Sequence, residues 1–465
     1  MSDTRPARGT RDFLPLDCRR RDYVIGIIRK IYSLYGYQPL ETPAIENLDV
    51  LLGKYGEEGN QLIFRILKRG EKLDLQNAES ANDLADLALR YDLTVPLARV
   101  FANYESKLPR LFKRFQIQPV WRADRPARGR FREFFQCDVD AVGSESVLVE
   151  VELLSAVSDV LLELGFTDFV IRINHRRLLE ELAFSAGIKR EEFPQAAIAL
   201  DKLDKIGRDN VAAELADRGF DQKVANDFLQ LLEALLGDKN DASVNTNEHF
   251  NSSAMEFLSG NPLFSESKGL ADLKNILEYS NYTSASGRLR FDPTLARGLA
   301  YYTGSIFEIN VPDLSGSLGG GGRYDNLIGM FSGKKIPACG FSLGLERILV
   351  VMEERSMFPD EVLHDAGLDA VILSMDERFY DWALIIADNL RAFGFSSSVY
   401  PEFGKPGKLL RAADQLGARF ACIIGEEEYN NHKFVVKNLS TGSQQIAGLE
   451  DWTQIIQELS TGPEN

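Results

Sequence analysis

The chain has 465 residues, 44% of them hydrophobic and 26% charged, which suggests two to four domains at roughly 100–200 residues each and excludes a fibre, a disordered chain or a disulfide-stapled mini-protein. The formal net charge of −16, from 69 acidic against 53 basic residues, argues against coating nucleic acid through bulk electrostatics and leaves local basic patches open. Cys18, Cys137, Cys339 and Cys422 form no C-x-x-C pair and no His/Cys cluster, so no disulfide framework or protein metal site is signalled. The polar, Arg-rich start from Met1 to Pro15 and the lack of an apolar run near the ~20 residues of a membrane span lead us to expect a soluble, cytoplasmic protein.

In chain order, Val24, Ile27, Ile28, Ile31 and Tyr35 fall at helical spacing behind a candidate Asp17 cap, and Gly36 closes the helix. Lys107 to Arg132 carries nine basic residues with Asp124 as its acid, a candidate basic surface patch. Within it, Leu111–Arg122 and Phe131–Asp140 read as an antiparallel strand pair around a loop with Pro126 and Gly129. A helix over Ser144–Leu164 and a strand over Asp168–Asn174 follow, which together point to an α+β domain. From Ser185 to Ser284 helical runs dominate (Phe193–Lys205, Val211–Arg218, Gln222–Leu236, Gly269–Tyr279) and read as an insertion. Strands at Arg288–Phe291 and Ala300–Val311, a glycine-rich loop and the strand-to-helix segment Cys339–Glu353 resume the first domain. Beyond a linker near Pro359–Gly367, strands Asp369–Leu373, Ser396–Tyr400, Phe420–Gly425 and Lys433–Asn438 alternate with helices Arg378–Phe393, Lys405–Leu416 and Leu449–Leu459. That pattern predicts a three-layer α/β domain with a mostly parallel sheet. The expected boundaries are 1–184, 185–285, 286–358 and 366–465.

Four segments could carry chemistry. On the strand Phe131–Asp140, alternation puts Arg132, Phe134, Gln136, Asp138 and Asp140 on one face, either a solvated surface or the floor of a site. Arg122 ends the preceding strand, and Arg125, Arg128 and Arg130 stud the loop between, an arrangement that suits a polyphosphate or a solvent-exposed hairpin. Asp92 and Thr94, two apart in Leu89–Pro96, could accept hydrogen bonds from a substrate ammonium or cap the following helix. Arg297–Gly304 followed by Gly319–Asp325 fits neither a dinucleotide fingerprint nor a Walker loop, and four consecutive glycines suit close approach of backbone to a ligand or a flexible loop. Gly340–Arg347 reads as a strand turning into a helix with Arg347 in its first turn, against the dipole unless an anion sits nearby.

Together these segments resemble a class II aminoacyl-tRNA synthetase, and within that class the histidyl-tRNA synthetase family. The resemblance runs from Arg8–Phe13 through Leu89–Pro96, Arg122–Asp140 (motif 2), Arg297–Tyr302 and Gly321–Asp325 (the two histidine motifs) to Gly340–Arg347 (motif 3), with a C-terminal domain like the family's anticodon-binding domain. It implies an antiparallel-sheet catalytic domain with a helical insertion. It also implies an enzyme that activates L-histidine with ATP and Mg²⁺, loads tRNA(His) and works as a homodimer. Carried over by position, Asp92 and Thr94 hold the α-ammonium. Gln136 and Arg297 contact the carboxylate region, and Asp140 with Tyr301 or Tyr302 reads the imidazole. Arg122 and Arg347 meet ATP phosphates, Asp124 on the adenine side and Arg130 complete the ATP-binding set, and Arg122, Arg297 and Arg347 are the catalytic arginines. Arg125, Lys405, Lys408 and Arg411 are candidates for tRNA contacts.

Two departures stand out. Ala300 replaces the aspartate of the family's Arg-Gly-Leu-Asp-Tyr-Tyr, and Asp124 replaces the motif 2 glutamate. In a regular strand Tyr301 and Tyr302 would point to opposite faces, so only one is expected to reach the imidazole. Asp140→Ala is expected to abolish histidine selection and spare the fold. The rival reading is a histidine-sensing regulatory subunit of ATP phosphoribosyltransferase, which resembles the catalytic domain but generally lacks the anticodon-binding domain.

Overall fold

The structure, a computed structural model, describes residues 4–53, 56–236, 247–298, 301–363, 367–451 and 454. Two compact units divide the chain, 1–357 and 358–465.

The first unit is built on an eight-stranded sheet. Its strands are β1 (Gln38–Pro39), β5 (Phe112–Trp121), β6 (Glu133–Val142), β7 (Val170–His175), β8 (Leu289–Phe291), β9 (Ser305–Asn310), β10 (Gly319–Arg323) and β11 (Ala338–Gly344), while β2 (Ile45–Asn47), β3 (Arg65–Leu67) and β4 (Ala85–Leu89) form a small separate sheet. The large sheet runs β1-β5-β6-β11-β10-β9-β7-β8 and is antiparallel throughout its centre.

The period-2 pattern sorts this sheet into two faces. One cross-strand row, Ile117–Cys137–Leu343–Gly319–Ile309–Ile171–Leu289, is apolar and buried. Helices Pro15–Leu34, Leu148–Glu163 and Leu345–Glu354 pack among the strands and one another, and each such side chain contributes roughly 1.5–3 kcal/mol on burial. The adjacent row, Gln116–Asp138–Ser342–Gly320–Glu308–Arg172–Arg290, is almost wholly polar and belongs to the opposite face. Asp138, Asp140 and Glu308 are nevertheless buried, so this face is the floor of a recess rather than a wet surface.

Several expectations change here. The first helix is Pro15–Leu34 with Leu14 at its N-cap; Pro15 suits the first helical position, and Asp17 accepts the Leu14 N–H (3.2 Å) from the third. The four glycines form β10, a central buried strand and not a loop. A Cβ on Gly321 would run into the Gly340 carbonyl oxygen, which is why this strand lies so close to its neighbours. The predicted strand Ala300–Val311 begins only at Ser305, because Gly298 (φ +63°) starts a turn in which the Tyr301 and Tyr302 N–H groups both donate to its carbonyl (3.0 and 2.9 Å). Nor is Lys107–Arg132 one surface patch: Arg114 is fully buried, and Lys113 is paired with Glu152. The described residues between β7 and β8 form helices joined by turns, including Arg176–Ser185 and Asn247–Gly260, which periodicity does not single out.

The second unit is a sheet β13-β12-β14-β15-β16 of β12 (Ala370–Ser374), β13 (Ser397–Val399), β14 (Phe420–Ile424), β15 (Lys433–Asn438) and β16 (Gln444–Gly448). Helix Tyr380–Ala392 covers one face through Trp382, Ile386 and Leu390, and helix Pro406–Gln415 covers the other through Leu409 and Ala413. The three layers are as expected, but the sheet is half antiparallel: β14–β15 and β15–β16 run opposite, since β15 and β16 are joined by a turn too short for a crossover. The predicted helix Leu449–Leu459 lies largely outside the described residues, of which Leu449–Asp451 is a single 3₁₀ turn.

Candidate active site

Above the polar face of the large sheet lies a cavity of about 430 Å³, lined by Asp92, Thr94, Arg122, Gln136, Asp138, Asp140, Arg297, Tyr301, Tyr302 and Tyr324, among others. It runs into a second recess of about 990 Å³ lined by Arg122, Asp124, Arg128, Arg130, Arg172, Arg297 and Arg347. Arg122, Gln136, Arg297, Glu308, Gly320 and Ser342 line both.

The smaller cavity is acidic and aromatic. Asp92 caps the helix Thr94–Tyr104 by accepting the Val95 N–H (3.2 Å) and also lines the wall beside Thr94, so capping and pocket lining coexist. On the floor, Gln136 Nε2 donates to Ser342 Oγ (3.1 Å), and Arg122 Nη2 reaches Gln136 Oε1 (3.4 Å). Arg122 is held by the Tyr91 carbonyl (2.9 Å) and stacks 4.3 Å from the Tyr91 ring centroid. Tyr301 and Tyr302 both line the cavity with ring centroids 4.4 Å apart, because the turn at Gly298 replaces the strand that would have opposed them. Ala300 lies outside the described residues.

At the closed end, Asp140 Oδ2 lies 2.8 Å from Arg114 Nη2 yet has no well-aligned hydrogen-bond donor, and Oδ1 accepts the Tyr324 hydroxyl. Gly340 faces this carboxylate across the strand pair, and a Cβ there would collide with Asp140 Oδ1. Burial pushes the Asp140 carboxyl up, with Arg114 and Tyr324 opposing. Asp138 is pushed up to about 7 by burial, with Arg114 opposing and Asp140 adding to the rise.

In the larger recess Arg130 grips Asp124 through two bonds (3.1 and 3.0 Å), Arg128 pairs with Glu354, and Arg125 is exposed. Arg347 donates to the Ser317 carbonyl (2.6 Å); burial, Arg297 and Arg130 lower its pKa, a crowding of cations that an anion would relieve. Arg297 pairs with Glu308, which also faces Arg172 at 3.4 Å. Beside Arg347, Glu346 accepts the Phe135 N–H with both oxygens (3.1 and 3.2 Å), tying the motif 3 helix to the start of β6; burial lifts its pKa to about 7. In the second unit Lys405, Lys408 and Arg411 are all exposed along the helix Pro406–Gln415 and its N-cap, with Lys408 paired to Glu402 (2.8 Å).

Thus one cavity system gathers Asp92, Thr94, Gln136, Asp140, Tyr301, Tyr302, Arg122, Arg297, Asp124, Arg130 and Arg347. Sequence reasoning missed Asp138, Arg114, Tyr324, Glu308 and Glu346 as site residues. Alternation had put Asp138 on the right face, and Tyr324 stood inside a quoted motif. Glu308 and Arg114 gave no local signal, because their positions follow from cross-strand register.

An antiparallel sheet with this site on its face and an anticodon-type domain following it defines a class II, ATP-dependent aminoacyl-tRNA synthetase. The model described as "Histidyl-tRNA synthetase" matches residues 9–348, and that described as "Anticodon binding domain" matches 369–459. The chain belongs to the histidyl-tRNA synthetase family. It is 39% identical to a histidine–tRNA ligase of Flavobacterium johnsoniae, over 94% of this chain and 95% of that one, and 40% identical to one from Cytophaga hutchinsonii, over 94% and 96%. Among solved structures, histidyl-tRNA synthetase from Nostoc sp. PCC 7120 superimposes with a TM-score of 0.77 at 29% identity, covering 98% of this chain and 99% of that one. A Bacillus halodurans chain titled "ATP phosphoribosyltransferase regulatory subunit/histidyl-tRNA synthetase" shares the fold at 20% identity, with a TM-score of 0.69 over 91% of this chain and 100% of that one.

Proposed function

We propose that this chain activates L-histidine with ATP and transfers it to the 3′ end of tRNA(His), acting in the cytoplasm as a homodimer. The observation that carries the reading is the continuity of an acidic, tyrosine-lined cavity with an arginine-lined recess, joined at Gln136, Arg297 and Gly320. Histidine fits the first, with its ammonium at Asp92 and Thr94 and its ring toward Asp140 and the two tyrosines. The polyphosphate of ATP fits the second.

The first half-reaction then needs placement and charge neutralisation rather than a covalent nucleophile. The histidine carboxylate, steered by Gln136 and Arg297, attacks the α-phosphorus; pyrophosphate leaves, and its negative charge is met by Arg122, Arg297 and Arg347. Asp124 and Arg130 shape the nucleotide side. In the second half-reaction the terminal ribose hydroxyl attacks the adenylate carbonyl and AMP departs. In this reading Mg²⁺ enters with ATP, as part of the substrate. Arg125, Lys405, Lys408 and Arg411 supply tRNA phosphate contacts in this reading. No helix among the described residues is long and apolar enough to cross a membrane.

The anticodon-binding match and the intact arginine set weigh against a histidine sensor. The test is charging of tRNA(His) transcript with labelled histidine: ATP-dependent esterification supports the reading, and histidine binding without esterification contradicts it. Sedimentation of the free protein checks the homodimer.

A further inference from the structure

The floor of the smaller cavity holds one more carboxylate than its facing cation neutralises. Asp138 and Asp140, two apart on β6 and each 3% exposed, both face Arg114 of β5, whose Nη2 lies 2.8 Å from Asp140 and 3.9 Å from Asp138. With both carboxylates ionised the three groups sum to −1. The other neighbours do not close the gap. Gln116, opposite Asp138, turns its amide to Thr42 and Gln118; Gln136, whose Nε2 lies 3.5 Å from Asp138 Oδ1, Ser342 on β11 and the hydroxyls of Tyr302 and Tyr324 are neutral; of the other cations lining the cavity, Arg122 is held at the Tyr91 carbonyl and Arg297 is paired with Glu308; and Asp92 adds negative charge. A buried, uncompensated carboxylate is costly, so the cluster demands either a proton or a cationic ligand.

Building on the histidine-binding reading above, we propose that Asp138 is a specificity-determining residue: with Asp140 and Arg114, it makes the pocket take histidine with its ring doubly protonated, the ring supplying the missing positive charge. Asp140 Oδ2, buried 2.8 Å from Arg114 Nη2 but with no well-aligned donor, keeps room to accept a ring N–H, and Asp140 lines this cavity. The proton comes from solvent when Asp138 is ionised and from Asp138 itself when it is protonated; no other bond changes. A neutral isostere leaves the cluster with its surplus charge and is rejected for that reason. Asp138 has the raised affinity for a proton that such an exchange requires.

The test is calorimetric titration of the full chain with L-histidine at pH 8, in two buffers of different ionisation enthalpy, for the wild type and Asp138→Asn. The imidazole is then largely neutral in solution, so the wild type should take up about one proton more per histidine than the variant. Any uptake by the α-amino group is common to both and cancels. On the wild type, β-(1,2,4-triazol-3-yl)alanine, whose ring stays neutral at this pH, should bind at least ~10-fold more weakly and with about one proton less uptake. Equal uptake by the wild type and a folded variant overturns the proposal. Equal uptake for histidine and its triazole analogue on the wild type does so as well, and that comparison decides alone where Asp138→Asn fails to fold. Histidine bound without the extra proton leaves the histidine-binding reading standing, whereas no binding of histidine by the wild type overturns that reading too.

Discussion

Arg114 Nη2 lies 2.8 Å from Asp140 Oδ2, with the guanidinium wholly inaccessible to solvent and the carboxylate 3% exposed. Removing one partner of such a pair strands a buried charge, at a cost of about 3–5 kcal/mol. Asp140→Ala is therefore expected to weaken the fold as well as selection, contrary to what the sequence suggested. Asp140→Asn keeps the volume and an acceptor for the Tyr324 hydroxyl. It should fold, and raise the histidine KM by about a hundredfold or more through the lost charge-assisted bond. Calorimetric unfolding together with pyrophosphate-exchange kinetics separates the two effects; an unchanged histidine KM removes Asp140 from ring recognition.

Glu346 gives a pH signature. Its native pKa of about 7 lies above the ordinary glutamate value, so the native state holds a proton that the unfolded chain has released. Its contribution to stability is full below pH ~4.5 and declines as pH rises to about 7, by up to about 3 kcal/mol at ~1.4 kcal/mol per pH unit. Glu346→Gln retains an acceptor for the Phe135 N–H and removes the titration. Urea midpoints between pH 5 and 8 should fall more steeply for the wild type than for the variant; parallel slopes contradict the assignment.

Two adjacent glycines should behave differently. At Gly320, between Ser342 and Glu308 on the polar face, the nearest atom to an added Cβ is the Phe307 carbonyl oxygen at 3.2 Å; at Gly321 the added Cβ would run into the sheet. Gly320→Val should leave the unfolding temperature within a few degrees and cut activity at least ~100-fold by filling the joint between the two recesses. Gly321→Ala should lower the unfolding temperature by about 5 °C or more. Thermal scans paired with exchange assays would show any reversal of this order.

The division of labour between the two units predicts that a chain ending at residue 365 loses tRNA charging far more than adenylate formation. Both rates measured on the same preparation decide it, and an equal loss in both refutes the division.

Alternation and motif spacing made β5, β6, the motif 3 turn and the arginines that line the larger recess legible, because these depend on local pattern. What failed depended on neighbours. The glycine run became a strand because the Gly340 and Ser305 carbonyls lie where side chains would otherwise stand. Tyr301 and Tyr302 both reached the cavity because one positive-φ glycine turned the chain before the strand began. Arg114 was counted toward a surface patch because a charge count ignores which face of β5 it occupies, and Asp138 gained meaning only once Arg114 and Asp140 were seen around it. The antiparallel half of the second sheet was hidden because β16 is short and polar at its start.

The central claim is that this cavity system makes histidyl-adenylate. ATP–pyrophosphate exchange, run with each of the twenty amino acids and Mg²⁺ in the absence of tRNA, tests it most directly. Exchange with histidine alone is the predicted result; histidine binding with no exchange for any amino acid would contradict it and leave a sensor built on a synthetase fold.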